Sequence, residues 1–276
     1  MRAEIHNPHR SEPDMTELVT VTVEDGVQIV TMNRPDKKNA LTADMYKVLA
    51  DAIEVADADP KIRVTLYTGS GGSFTAGNDL GDFAKAGMMP VSEQPTEKAH
   101  VTRFLENLAE AKKPIIAAVN GLAVGVGVTM LLHCDLVYAG TSATFQMPFV
   151  NLGLVPEAGS SFLLQRQIGI QKAADLFLTG KKIGAEKAEA IGLVADVFPD
   201  NALPGEALAA AKALAAKAPN AVRATKALLK DNDRPRVAEA RETEARIFGA
   251  QLRSDEVKEA ISAFFEKRTP DFSKFD

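Results

Sequence analysis

Two glycine-bearing segments of the chain could do chemistry through their backbone. One is Ala76-Gly77-Asn78-Asp79-Leu80; the other is Gly121-Leu122-Ala123-Val124-Gly125-Val126-Gly127. Each sets a backbone N–H at the start of a predicted helix. Glycine lets the chain approach a ligand closely and take unusual φ/ψ values, and a helix start adds unpaired donors and a partial positive charge. Two such donors converging on one oxygen would make an oxyanion hole. Removing one donor from such a hole costs on the order of 3 kcal/mol of transition-state stabilisation. Glycines before helices are common, so neither segment is decisive alone. Gly125-Val126-Gly127 also opens like a dinucleotide fingerprint, but Met130 stands where its third glycine belongs.

A carboxylate stands near the third position of interest, in Leu154-Val155-Pro156-Glu157-Ala158-Gly159-Ser160-Ser161. Glu157 precedes a helix, where an acid is favoured by the dipole without any catalytic role. It is also free to act as a proton carrier. Ser160 and Ser161 lack a G-x-S-x-G elbow and a matched histidine, so they are read as capping or packing that helix. His133 and Cys134, at the end of an apolar segment, are read as structural.

The elements that must position these groups alternate between strand and helix. Residues 17–23 and 27–32 read as a hairpin around Glu24-Asp25-Gly26. Thr42 caps a helix with Met45, Leu49, Ala52, Ile53 and Ala56 on its apolar face. Strands are expected at 63–68, 115–119 and 136–139, a loop at 85–95 and a helix at 96–112. Helices follow at 205–217, 220–230, 235–251 and 255–267. The last carries Val257, Ala260, Ile261 and Phe264 as an i, i+3, i+4, i+7 stripe. The pattern is α/β with a helical C-terminal part. It divides as a polar tail over 1–15, a core over 16–204 and a helical module over 205–276.

Composition narrows the partners. The 276 residues carry 32 Lys and Arg against 37 acids, a net charge of −5, which disfavours nucleic acid. One cysteine among the 276 residues excludes an internal disulfide and fits a reducing cytoplasm. The four histidines show no metal-ligand spacing. No run resembles a membrane span of ~20 apolar residues, and the first residues, with Pro8 and Pro13, read as a frayed tail rather than a signal peptide.

Several motifs in order resemble the crotonase (enoyl-CoA hydratase/isomerase) superfamily. They are Asn33-Arg34-Pro35 with Lys38-Asn39-Ala40-Leu41; Phe74-Thr75-Ala76-Gly77-Asn78-Asp79-Leu80; Lys113-Pro114-Ile115-Ile116-Ala117-Ala118-Val119-Asn120-Gly121; and Gly125-Val126-Gly127 with Cys134-Asp135-Leu136-Val137-Tyr138-Ala139. The resemblance runs from about residue 17 to the Glu266-Lys267-Arg268 tail. It implies a crotonase-like ββα spiral with a C-terminal helical trimerisation module, a homotrimer or a dimer of trimers. The implied ligand is an acyl-CoA thioester whose carbonyl rests between the N–H groups of Asn78 and Val126. Lys38, Asn39 and Ala40 would lie beside the CoA nucleotide, with Ala76, Gly77, Asp79, Leu80 and Gly125 also lining the substrate. No cofactor is implied, since CoA is part of the substrate.

The sequence departs from the hydratase pattern where a pair of glutamates would hold the water: those positions are Thr129 and Phe149. Water addition needs a general base and a proton source, which neither side chain supplies. Pro148-Phe149 and Pro156-Glu157-Ala158-Gly159-Ser160-Ser161 are instead similar to peroxisomal-type Δ3,Δ2-enoyl-CoA isomerases, which implies Glu157 as the base. One carboxylate facing C2 and C4 suffices for that reaction. Another crotonase reaction, or CoA binding without turnover, is the alternative expectation.

Overall fold

Val19–Glu24 (β1) and Val27–Met32 (β2) form an antiparallel hairpin whose turn sets Asp25 and Gly26 at positive φ. The computed structural model describes residues 18–79, 81–82 and 99–275. The tail over 1–15, the 85–95 loop, the start of the 96–112 helix and Leu80 lie outside the described residues, wholly or in part. After the hairpin, Val64–Gly69 (β3), Ile115–Val119 (β5) and Leu136–Gly140 (β7) add parallel strands, and Asp196–Phe198 (β10) closes a six-stranded sheet in the order β1-β2-β3-β5-β7-β10.

Each of β3, β5 and β7 is followed by a three-residue strand in a second sheet. These are Ser73–Thr75 (β4), Leu122–Val124 (β6) and Thr144–Gln146 (β8), joined by Lys182–Gly184 (β9) in the order β4-β6-β8-β9. Strand, short strand, then helix is repeated along the chain, which is the ββα spiral. The short strands escape sequence reading because three residues carry no measurable period.

Ala43–Ala58 (α1) and His100–Glu110 (α2) pack on each other beside this frame. The Thr42 hydroxyl accepts from the Met45 N–H at 3.3 Å, and Met45, Leu49, Ala52, Ile53 and Ala56 are all buried. Val126–Thr129 (α3) continues into a 3-10 turn at Met130–His133, so the single expected helix changes pitch midway. Ser160–Ile168 (α4), Ile170–Thr179 (α5) and Ala185–Ala190 (α6) follow.

The C-terminal part consists of Leu203–Ala215 (α7), Pro219–Lys230 (α8), Arg234–Gln251 (α9) and Asp255–Glu266 (α10). α7 spans residue 204 and lays Leu203, Ala207 and Ala211 on the sheet residues Val27, Val64, Leu66, Ile116 and Ala118. In α10 the buried face is Val257, Ala260 and Ala263, while Phe264 is 57% exposed. The i+7 member of the expected stripe therefore faces outward. Among the described residues, no helix is long and apolar enough to cross a membrane.

Candidate active site

β4 and β6 are parallel neighbours, so the segments that leave their carboxyl ends lie side by side. These are the two glycine-bearing segments. They touch closely: a Cβ on Gly77, whose φ is +87°, would stand 2.8 Å from the Val124 carbonyl oxygen. Gly77 is required there for both its backbone conformation and its lack of a side chain.

The Asn78 N–H is left available by strand geometry. An isolated parallel bridge joins Leu41 and Asn78. It uses the Leu41 N–H to the Gly77 carbonyl at 2.8 Å and the Asp79 N–H to the Leu41 carbonyl at 2.9 Å. Successive residues of extended chain point their N–H groups to opposite sides, so the Asn78 N–H faces away from Leu41. Val126 is the first residue of α3, and its N–H has no acceptor within the helix. Gly125 leads into it at φ 55°, ψ −117°, a conformation open to glycine and strained for any other residue. The two N–H groups are thus offered at the same end of adjacent strands.

The loop before α1 braces this arrangement. Lys38 and Asn39 both have left-handed backbone, and Lys38 is exposed. Asn39 is fully buried; its Nδ2 donates to the Ser70 and Ser73 carbonyls at 2.9 and 2.7 Å, and its Oδ1 accepts from the Arg34 N–H at 2.7 Å. Its side chain shapes the loop from beneath, leaving Lys38 and the backbone as the loop's outward face. Ala40 offers its carbonyl to Arg34 Nη1 at 3.1 Å, and the Ala76 N–H donates to the Lys38 carbonyl at 2.9 Å. Arg34 also pairs with Asp79 at 2.7 Å. Burial pushes the Asp79 carboxyl up, but Arg34 and the Gly81 and Asp82 N–H groups outweigh it and hold it below the usual carboxylate range. Asp79 therefore anchors the turn after Asn78.

Glu157 reaches the same place from the other side. The Thr129 hydroxyl, on α3, donates to Glu157 Oε1. The helix that offers the Val126 N–H thus also holds the carboxylate. The residue is only half-buried as a whole, yet its carboxyl end is enclosed. Burial is the largest influence on its proton affinity, and the Glu244 charge adds to it; the Thr129 bond and Arg241 oppose it. The outcome is a carboxyl pushed up to about 7, a value at which it both takes and returns a proton near neutrality.

The turn carrying Glu157 is strained. Ala158 has φ 64° and Gly159 φ 73°; a non-glycine residue there costs about 1–2 kcal/mol. Two buried groups hold it. His133, its pKa lowered to about 4 chiefly by burial, is neutral, and its Nε2–H donates to the Ala158 carbonyl at 2.7 Å. Glu244 accepts from the Gly159 and Ser161 N–H groups at 2.5 and 2.8 Å.

The sequence pattern singles out Tyr46, on α1, for neither the core nor the site. It is 4% exposed, and its hydroxyl donates to Asn78 Oδ1. Burial, and then the charge of Glu157, raise its pKa well above the ordinary phenol value. Phe104 of α2 supports its ring at 5.7 Å. Glu244, Tyr46 and the Thr129 hydroxyl carry no local sequence signal, since each acts across at least 28 residues. Phe149 is buried against Phe177 at 6.3 Å, an apolar wall where a hydratase would carry an acid.

The sequence model described as "Enoyl-CoA hydratase/isomerase" matches residues 22–274. The chain belongs to the enoyl-CoA hydratase/isomerase family. Its fold is of the crotonase type. It is 38% identical over 253 residues to "Enoyl-CoA delta isomerase 2" of Rattus norvegicus, a match that takes in 91% of this chain and 64% of that protein's length. The chain thus spans slightly under two thirds of that relative. It is 35% identical to "2,3-dehydroadipyl-CoA hydratase" of Escherichia coli K12, covering 94% of this chain and 99% of that one. Among solved structures, an enoyl-CoA hydratase/isomerase from Pseudoalteromonas atlantica T6c superposes with a TM-score of 0.88 at 45% identity, over 92% of this chain and 99% of the other.

Proposed function

We propose that this enzyme is a Δ3,Δ2-enoyl-CoA isomerase in which Glu157 carries the proton. The observation that carries the reading is the Thr129–Glu157 hydrogen bond. It ties the enclosed Glu157 carboxyl, pushed up to about 7, to the helix that offers the Val126 N–H, while positions 129 and 149 hold no acid. The rat relative's name agrees with this reading.

A 3-enoyl thioester has a C2 proton that is both allylic and next to the carbonyl. Ionised Glu157 removes it, and the electron pair moves into a dienolate. The negative charge on the thioester oxygen is met by the Asn78 and Val126 N–H groups. Protonated Glu157 then delivers the same proton to C4, the double bond moves into conjugation, and the carboxylate is regenerated. No water and no cofactor enters. Lys38 and the backbone from Asn39 to Ala40 border the nucleotide of CoA; Ala76, Gly77, Asp79 and Gly125 border the pantetheine and thioester.

The same reading includes a homotrimer. Ile170 and Leu178 on α5, Leu228 and Leu229 on α8, and Phe264 and Phe265 on α10 are each at least 57% exposed, apolar surface that association would cover.

The deciding experiment is an assay of 3-enoyl-CoA conversion to conjugated 2-enoyl-CoA, with Glu157→Gln expected to lose at least about 10³-fold in kcat. Full turnover by that variant would remove Glu157 from the mechanism. Hydration of 2-enoyl-CoA at a greater kcat/KM than isomerisation would move the enzyme to the hydratase side, where the Escherichia coli relative's name points.

A further inference from the structure

Glu244 lies 87 positions beyond Glu157 in the chain, on the far side of five intervening helices, yet it is 5% exposed and bonded to the turn that Glu157 occupies. α9 is pressed directly against this turn. A Cβ on Gly159 would stand 3.0 Å from Val237 Cγ1 and 3.2 Å from Arg241 Cγ, both of α9. The Glu244 carboxylate takes the N–H groups of Gly159 and Ser161 at the start of α4. Left uncovered, those donors would turn a positive field on Glu157 and favour its ionised form. Covered by a carboxylate, they do not.

We propose that Glu244 is a positioning residue for the Glu157 base: its carboxylate fixes the Glu157 turn through two backbone N–H groups and sets a negative charge behind it. The inference rests on the reading of Glu157 as the proton carrier. Among the described residues, the other charged or titratable groups around the turn have partners of their own, and Arg241 opposes Glu244 in its effect on Glu157. Arg241 of α9 pairs with Glu106 of α2 at 3.3 Å, and Arg166 of α4 with Asp233 at 2.5 Å. His133 is neutral and holds the Ala158 carbonyl, Lys230 of α8 donates to the His133 carbonyl and pairs with Asp135, and Tyr46 of α1 is a neutral phenol. Glu244 is the anion bonded to the turn itself, and like charge nearby keeps a carboxyl protonated to higher pH.

The test is the pH profile of kcat/KM for 3-enoyl-CoA isomerisation in Glu244→Gln and Glu244→Asp. Glu244→Gln keeps the side-chain size, loses the charge and sets an amide NH2 against one of the two N–H groups that the carboxylate accepts. Its acid limb is expected to move down by at least about half a pH unit, and its plateau kcat to fall several-fold because the base is weaker, with KM nearly unchanged. Glu244→Asp keeps the charge on a shorter arm; its acid limb is expected to stay at the wild-type pH while kcat falls several-fold. A Glu244→Gln profile that coincides with wild type overturns the proposal, as does an equal shift in both variants. If Glu244→Gln gives no folded protein, wild-type kcat in Glu244→Asp overturns the positioning role by itself. Failure of the Glu157 reading is distinguishable, because it appears as full turnover by Glu157→Gln with Glu244 intact.

Discussion

The Thr129 hydroxyl donates to the carboxylate of Glu157, from the position where a hydratase would carry an acid of its own. A hydroxyl on α3 thus steadies the carboxyl on the far turn, and the same short helix presents the Val126 N–H. One hydrogen bond thus ties the base to the helix that carries the N–H donor.

Removing that hydroxyl has a defined direction. The bond favours the ionised carboxyl, so Thr129→Val is expected to shift the acid limb of kcat/KM to higher pH and to lower kcat about tenfold at pH 7. An unshifted limb would show that the bond does not act on the reacting carboxyl.

Wild-type kcat/KM is expected to rise with pH through an apparent pKa near 7 and then level, because the ionised carboxyl abstracts the proton. Stability runs the opposite way. The folded pKa is raised above the ordinary carboxyl value of 4.5. The contribution is therefore fully present below the unfolded pKa and is lost as pH rises from about 4.5 to about 7, up to about 3 kcal/mol in all. Urea unfolding from pH 4 to 8 should show the loss in wild type and not in Glu157→Gln.

Gly125 and Gly77 separate backbone strain from crowding. A Cβ on Gly125 meets nothing within 4 Å, but its φ of +55° and ψ of −117° are strained for alanine. Gly125→Ala is expected to lose about 1–3 kcal/mol of stability, or to relax and swing the Val126 N–H away, lowering kcat about 10²-fold. Gly77→Ala adds a clash at 2.8 Å with the Val124 carbonyl and is expected to be the more destabilising of the two. Thermal melting and kcat, measured on both, check the order.

Tyr46→Phe deletes the hydroxyl that holds Asn78 Oδ1 and keeps the ring against Phe104. About 1 kcal/mol of stability and several-fold in kcat are expected to go, with KM little changed. A KM effect without a kcat effect would place Tyr46 in substrate binding instead.

The glycines at 77 and 125 were legible because only a special backbone explains them between apolar segments, and the helix capped by Thr42 because its 3.6-residue period buries one face. The three-residue strands β4, β6 and β8 were not, although they aim the site, since they are stabilised by pairing with one another rather than by their own pattern. Phe264 on α10 shows the converse: a regular stripe states which residues share a face, and neighbouring elements decide how far that face is covered.

The sequence by itself determined the alternation of the longer strands with helices, the two glycine turns, the absence of acids at 129 and 149, and the presence of a carboxylate at 157. Those are properties of residue type and local spacing. Only the tertiary structure decided what Glu157 meets: Thr129 from α3, and the turn held by His133 and by Glu244 from α9. A carboxyl's proton affinity depends on burial and on charges that arrive from distant parts of the chain, and no local spacing encodes them.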